Sequence, residues 1–130
     1  MQTDKISIAA ALGALTFLPD RRPDSAPAVL AQAFATLCRY RDGGIFVGHY
    51  AGDSAWERHP EEEIVIVLEG ETTLFLAAAD GEARHALGAL DMLVVPKGVW
   101  HRFATPAGVK ILSVTPQPTE HAAPPPAGDS

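Results

Sequence analysis

The sequence predicts an all-β protein, a sandwich or barrel of short strands that follows an N-terminal arm and one helix. From residue 45 onward, short runs typical of strands alternate with turn residues, which is the pattern of such folds. Residues 64–68, with the sequence Ile-Val-Ile-Val-Leu, are apolar at every position, so both faces of this strand must be covered. The chain has 130 residues, 47% of them hydrophobic and 20% charged, which suffices for one domain with a core but not for two.

Residues 1–44 are predicted to form an arm and a helix that pack on the barrel. The arm covers residues 1–24, and its apolar stretch at residues 6–18 is preceded by Asp4 and followed by Pro-Asp-Arg-Arg. These charged flanks do not fit a secretory signal peptide, and the stretch is too short to span a bilayer. We therefore expect a cytoplasmic protein without a membrane partner.

One helix is predicted from Asp24 or Ser25 to about Arg39. Either of the first two residues can cap it, and Pro27 suits its first turn. The apolar side of this helix would consist of residues spaced three or four apart: Leu30, Phe34 and Leu37.

The barrel is predicted to cover residues 45–116, and residues 117–130 to form a flexible tail rich in Pro, Ala and Gly. Asp80-Gly81 is a hairpin turn between two of the predicted strands. The strands are expected at residues 45–50, 56–59, 63–68, 72–77, 84–87, 92–95, 100–104 and 109–115.

Charge and cysteine content narrow the range of partners. The formal net charge is −6 and the basic residues are scattered, whereas nucleic acids and anionic membranes require a basic surface. We therefore expect no nucleic-acid partner. Cys38 is the single cysteine, which excludes an intrachain disulfide. Because a small barrel has few elements of its own to cover the outer face of residues 64–68, we expect a homodimer.

Four side chains from two distant segments are candidate metal ligands. Alternate side chains of a strand share a face, so Glu57 and His59 point the same way, and Glu63 follows them after a turn. If these faces and that of His101 turn inward, two carboxylates and two imidazoles converge inside the barrel. Both types are good ligands for a borderline divalent metal. Histidines without this context are expected at the surface or behind the ligands: His49, His85 and His121.

The two segments resemble the two motifs of the cupin superfamily. In the first, three residues separate His59 from Glu63, and six more separate Glu63 from Gly70; in the second, Pro96 and Gly98 precede His101. The resemblance implies a small jelly-roll barrel, a double-stranded β-helix, that binds one metal through His59, Glu63 and His101.

The chain departs from the family pattern at three positions. Glu57 stands where the family usually has its first His, Leu90 replaces a usual Gly, and Thr105 replaces a usual Asn. The wider chain is similar to small single-domain bacterial cupins, a resemblance that implies no particular reaction.

Two arrangements of the site fit the sequence, and strand alternation favours the first, in which Glu57 is a metal ligand. In one, Glu57, His59, Glu63 and His101 all bind the metal, and an octahedral ion keeps two positions for water or substrate. In the other, only the two histidines and Glu63 bind, as in non-heme Fe(II) oxygenases, and Glu57 is a catalytic general base beside the open positions.

Two classes of function agree with these features. The first is a metal-dependent enzyme of the oxygenase or isomerase type, which uses one divalent metal (Fe, Mn or Zn) on a small polar molecule. The alternative is a non-catalytic sensor that binds a metal or a small ligand and acts through a partner protein. A roomy cavity beside the metal favours catalysis, whereas a closed site favours structure or sensing.

Overall fold

The computed structural model describes residues 4–122 of the chain, and strands dominate them. The two helices are α1 (Ile8–Gly13) and α2 (Pro27–Ala33). The ten strands are β1 (Leu18–Arg21), β2 (Phe34–Tyr40), β3 (Gly43–Asp53), β4 (Trp56–Arg58), β5 (Glu63–Gly70), β6 (Thr72–Ala78), β7 (Gly81–Leu87), β8 (Met92–Val95), β9 (His101–Pro116) and β10 (Glu120–Ala122). The all-β class predicted from the sequence is confirmed.

The strand β9 organises the sheet. Its C-terminal half pairs with β3 on one side and with β5 on the other. Its N-terminal half pairs with β4 and β6. Two separate strands are predicted here from the sequence, but the structure has one continuous strand that bulges at residues 106–108. These three residues lie opposite Ala51 alone, because Tyr50 pairs with Val109 and Gly52 pairs with Thr105.

The predicted helix ends early, so the expectation for residues 34–39 is wrong. Only Pro27–Ala33 is helical, and Phe34 already has the extended backbone angles φ −129° and ψ 148°. Residues 34–40 instead form β2, which pairs antiparallel with β3 from Phe34 opposite Gly48 to Tyr40 opposite Gly43. The apolar spacing that suggests a helix is overridden by this long-range pairing, as is common for β-branched and aromatic residues.

Both ends of the chain contribute strands to the sheet. β1 pairs parallel with β3, so the predicted arm carries a strand as well as a helix. Residues 117–130 are predicted as a flexible tail, but Glu120–Ala122 form β10, which pairs with β4. Residues 123–130 of that predicted tail lie outside the described residues.

The core fills the space inside the rolled sheet. Its largest cluster contains Tyr50, Val65, Val67, Leu74 and Phe103, together with aliphatic residues of β7, β8 and β9. A second, smaller cluster of Trp56, Phe75 and Trp100 lies apart from the first. The two tryptophans are therefore packing residues, as expected from their positions in the sequence.

No helix among residues 4–122 is long and apolar enough to cross a membrane.

Candidate metal centre

His59, Glu63 and His101 meet at one point of the core. His59 directly follows β4, Glu63 is the first residue of β5, and His101 is the first residue of β9. The Nε2 atom of His59 lies 3.4 Å from Glu63 Oε2, and the Nε2 atom of His101 lies 3.1 Å from Glu63 Oε1. One ligand atom from each residue lies within 4.8 Å of the other two, and all three side chains are buried. The residues of two distant motifs thus form a site that could hold a metal.

The turn before β9 holds the two motifs together. The Gly98 N–H donates a hydrogen bond to the carbonyl oxygen of His59 at 3.0 Å. Gly98 has a φ of +70°, in the left-handed region that residues with a side chain avoid. The Pro-x-Gly pattern therefore has a structural reason, because it places the backbone that precedes His101 against the backbone of His59.

Hydrogen bonds fix the tautomer of each imidazole. His101 Nδ1 lies 3.0 Å from the carbonyl oxygen of Val99, which can only accept, so this nitrogen carries the hydrogen. Thr119 Oγ1 donates to Gln117 Oε1 and therefore accepts from His59 Nδ1, 3.0 Å away. Both Nε2 atoms are thereby left with free lone pairs that face Glu63. Such partners behind the ring are typical of metal-binding histidines.

The donor set fits a bound cation. Glu63 Oε1 and His101 Nε2 are buried and have no hydrogen-bond partner among the described residues, although they lie 3.1 Å apart. Two buried acceptors that face each other are unfavourable unless a cation or a proton lies between them. A divalent metal satisfies both atoms, and imidazole nitrogen with carboxylate oxygen suits Fe, Mn or Zn.

The ionisation of Glu63 agrees with this environment. Burial raises its pKa, but the attraction of His101 and His59, whose Nε2 atoms can donate to the carboxylate once they are protonated, outweighs burial and lowers the pKa from 4.5 to about 2. Burial lowers the pKa of His101, while Glu63 and the Val99 carbonyl raise it more strongly, so the net shift is upward. Without a metal, the pair therefore retains a proton to a higher pH than a free imidazole does, and a bound cation would displace that proton.

Glu57 lies beside this cluster without belonging to it. It is the cross-strand neighbour of His101, and its carboxylate faces the same cavity as His59 and Glu63. Its Oε2 atom lies 3.6 Å from Nε2 of His121, whose pKa is raised by the hydrogen bond to Glu57. The predicted common face of Glu57 and His59 is thus seen in the structure, and the ligand atoms that cluster within 4.8 Å come from the other three residues.

A cavity of about 360 Å³ opens next to the cluster, within the range of small-molecule sites. Glu57, His59, Glu63 and Thr115 form its polar end. The rest of the wall is mostly apolar: Leu30, Phe34, Phe46, Tyr50, Phe103 and Ile111.

Several residues of the site are not identified by sequence reasoning. Thr115 Oγ1 donates a hydrogen bond of 2.6 Å to Glu63 Oε2, and Thr119 orients His59. Thr115 lies near the end of a predicted strand and Thr119 in the predicted tail, and no motif marks either of them. Arg21 and Phe34 enter the cavity wall from β1 and β2, and no motif marks them.

A rolled, mostly antiparallel sheet with a buried His-Glu-His cluster beside a cavity defines a class of small β-proteins whose core could hold a metal. The chain belongs to the Cupin domain family, because residues 47–115, more than half of the sequence, match the model of that family. The resemblance noted in the sequence is therefore confirmed, and the fold agrees with a cupin jelly roll.

Solved structures share this fold at low sequence identity. A cupin-2 domain containing protein from Shewanella frigidimarina is 23% identical, with 69% of this chain and 80% of that chain covered and a TM-score of 0.54. A protein from Neisseria meningitidis is 19% identical, with 92% of this chain and 100% of that chain covered and a TM-score of 0.62. Hydroquinone 1,2-dioxygenase from Sphingomonas sp. TTNP3, with 4-hydroxybenzoate bound, is 19% identical, with coverages of 77% and 70% and a TM-score of 0.56. No curated protein shows significant sequence similarity to the chain.

Proposed function

We propose that the protein is a metal-dependent enzyme of the oxygenase or isomerase type that acts on a small molecule. The observation that carries this proposal is the cluster of His59, Glu63 and His101 at the polar end of an open cavity. A closed site with tight walls would favour a structural or sensing role, whereas the adjoining space here admits a substrate. The same fold carries an enzyme in the hydroquinone 1,2-dioxygenase, so a scaffold of this kind can host catalysis.

The metal is proposed to bind through three residues, the two histidines and Glu63. Two imidazoles and one carboxylate on one side of an ion leave positions open toward the cavity, as in non-heme Fe(II) oxygenases. When bound, a divalent metal supplies Lewis-acid polarisation of a substrate oxygen, and Fe or Mn can also support redox chemistry. The protein itself contributes the orientation of both rings, through Val99 and Thr119, and the apolar wall that excludes water.

Glu57 is proposed as the proton acceptor rather than as a fourth ligand. It lines the cavity outside the ligand cluster, and 17% of its side chain is exposed. A carboxylate in this position can accept a proton from a substrate hydroxyl or carbon held beside the metal. His121, on the outer side, can then receive or return that proton across 3.6 Å.

The test begins with elemental analysis of protein purified without an affinity metal, followed by oxygen uptake of the Fe(II) form with small-molecule candidates. We expect one divalent ion per chain in the wild type and a loss of affinity of at least about 100-fold in His59→Ala or His101→Ala. His85→Ala serves as the matched control, since His85 lies on β7 and outside the cluster. Full metal content in either site variant would overturn the proposed centre.

Glu57→Gln separates the two arrangements of the site. As a base, Glu57 can be replaced with little change in metal content while turnover falls by about 100-fold or more. Loss of the metal in this variant would instead support the four-ligand arrangement.

We also propose that the protein acts in the cytoplasm. We further propose that it forms a homodimer through the outer face of β5 and β8. Ile64 pairs with Val94 and Ile66 with Met92, and the side chains of Val94 and Met92 are 42% and 59% exposed. Apolar surface of this kind is typically covered by a second copy. Light scattering should give a dimer at micromolar concentration, and Met92→Glu should shift it to monomer while Val29→Glu, on α2, should not. A monomeric wild type would contradict this assembly.

A further inference from the structure

Arg21 occupies an unusual position in the cavity wall. It ends β1, outside residues 47–115 that match the family model, and its side chain lines the same cavity as the metal cluster. Its guanidinium carbon lies 4.9 Å from the centre of the Phe34 ring and 4.6 Å from that of Tyr50. Arg21 also donates a hydrogen bond to the Tyr50 hydroxyl. Stacking on two rings holds the guanidinium flat, and its remaining N–H groups can bind a planar anion.

No carboxylate of residues 4–122 forms an ion pair with Arg21. The nearest acid along the chain, Asp20, is instead paired with Arg22 at 2.8 Å, at the exposed surface. The Tyr50 hydroxyl satisfies part of the hydrogen bonding of this half-buried guanidinium but does not balance its charge, which an anion in the cavity would do. Arg21 and Arg22 are thus adjacent in sequence but differ in environment, which makes Arg22 a matched control.

The cavity as a whole favours an anion. Its charged side chains, besides the metal-binding imidazole, are Arg21, Glu57 and Glu63. With a divalent ion bound, the two negative carboxylates balance the charge of the ion. The cavity then carries one net positive charge, that of Arg21. The same cavity is also lined by apolar and aromatic side chains: Phe34, Phe46, Phe103 and Ile111. A ligand that matches this wall has an apolar body of about the size of one ring.

We propose that Arg21 is the anion-binding residue of the cavity and that the substrate class is a small carboxylate with an apolar, ring-sized body. The carboxylate binds the edge of the guanidinium as a bidentate pair, and the body lies along the aromatic wall toward the metal cluster. This assignment rests on the proposed function only in taking the cavity as the substrate site. Because Arg21 and Phe34 come from the N-terminal strands, this segment sets the specificity of the barrel.

The experiment compares two probes of equal shape and different charge, cyclohexanecarboxylate and cyclohexanecarboxamide. Their affinities are measured by calorimetry on Zn-loaded protein, for the wild type, Arg21→Met, Arg21→Lys and Arg22→Met. We expect the wild type to prefer the carboxylate by on the order of tenfold, the value of a charge-assisted pair. Arg21→Met should abolish this preference, Arg21→Lys should keep part of it, and Arg22→Met should keep all of it. Zinc content of each variant reports whether the centre is intact.

The outcomes separate this inference from the proposed function. If zinc binds stoichiometrically but the carboxylate is not preferred, or the preference survives in Arg21→Met, the inference is overturned and the metal centre stands. If the protein binds no metal yet shows the preference in an Arg21-dependent way, the metal centre fails and the inference stands. Failure of the wild type to bind the carboxylate at millimolar concentration also overturns it.

Discussion

Leu90 is a single residue whose backbone conformation does not suit its side chain. Its φ is +70°, in the left-handed region, and its side chain is 81% exposed. It precedes β8 at the position where cupins usually have Gly, and its N–H donates to the carbonyl oxygen of Val67 at 2.7 Å. The hydrogen bond keeps the backbone in place, so the leucine takes on the strain that a glycine would avoid.

Leu90→Gly is expected to raise the free energy of unfolding by about 0.5–1 kcal/mol, since relief of strain exceeds the added flexibility of the unfolded chain. Urea denaturation measures this change. Leu90→Ala is the control and should bring no gain, because alanine retains the left-handed strain. If Leu90→Gly is no more stable than Leu90→Ala, the strain at this position does not explain the effect.

At the residue scale, the sequence identifies side chains that belong to a motif and misses those placed by the fold. His59, Glu63 and His101 are implied by the resemblance of their two segments to the cupin motifs, whereas strand alternation alone adds Glu57 to them. Arg21 and Thr119 reach the site through strand pairing at either end of the chain, and pairing partners so distant in sequence leave no local pattern.

At the scale of elements, β2 depends on glycine in the facing strand. A Cβ atom on Gly48 would lie 2.5 Å from Cε1 of Phe34, the residue opposite it in the pairing of β2 with β3. Phe34 in turn packs 5.4 Å from the ring of Tyr50 and lines the cavity. Residues 34–40 have an apolar spacing compatible with a helix, but they form a strand because Gly48 of β3 leaves room for the Phe34 ring.

Gly48→Ala should destabilise the protein by about 1–3 kcal/mol, since the methyl group overpacks against Phe34. The double variant Gly48→Ala, Phe34→Leu should be more stable than the sum of the two single effects, because the smaller side chain gives back the space. Thermal unfolding of the four proteins tests the coupling. Strict additivity would show that Phe34 and Gly48 do not contact each other.

Most strands could be predicted from the sequence because turn residues mark their ends. The hairpin of β6 and β7 is an example, and its Gly81 has a φ of +126°. The single strand β9 could not be predicted, since Pro106 and Gly108 are turn residues by type. In the structure they form a bulge within a continuous strand, and only the pairing with β3 distinguishes the two cases.

At the scale of the whole molecule, the metal-free protein should have an unusual pH dependence of stability. The pKa of Glu63 is lowered from 4.5 to about 2, so its contribution is complete above pH 4.5 and is lost as the pH falls toward 2. The pKa of His101 is raised from 6.5, so its contribution is complete below pH 6.5 and is lost as the pH rises through the folded value. Both contributions are therefore complete between pH 4.5 and pH 6.5.

Urea unfolding of chelator-treated protein across pH should show greatest stability in that window, with a fall on the acid side on the order of 3 kcal/mol. Zn-loaded protein should behave differently and gain stability above pH 6.5, because the metal needs deprotonated imidazoles. Glu63→Gln is the control and should remove most of the acid-side dependence. Metal-free protein that gains stability as the pH rises above this window would contradict the assignment of the proton.

The two ends of β9 converge on one side chain, since His101 and Thr115 both touch the carboxylate of Glu63. A straight strand from residue 101 to residue 115 would extend roughly 45 Å. With its irregularity at residues 106–108, β9 instead curves so that both of its ends reach the carboxylate of Glu63. An ion seated there would fasten a strand that pairs with four others, so its release should relax distant parts of the molecule as well as the cavity.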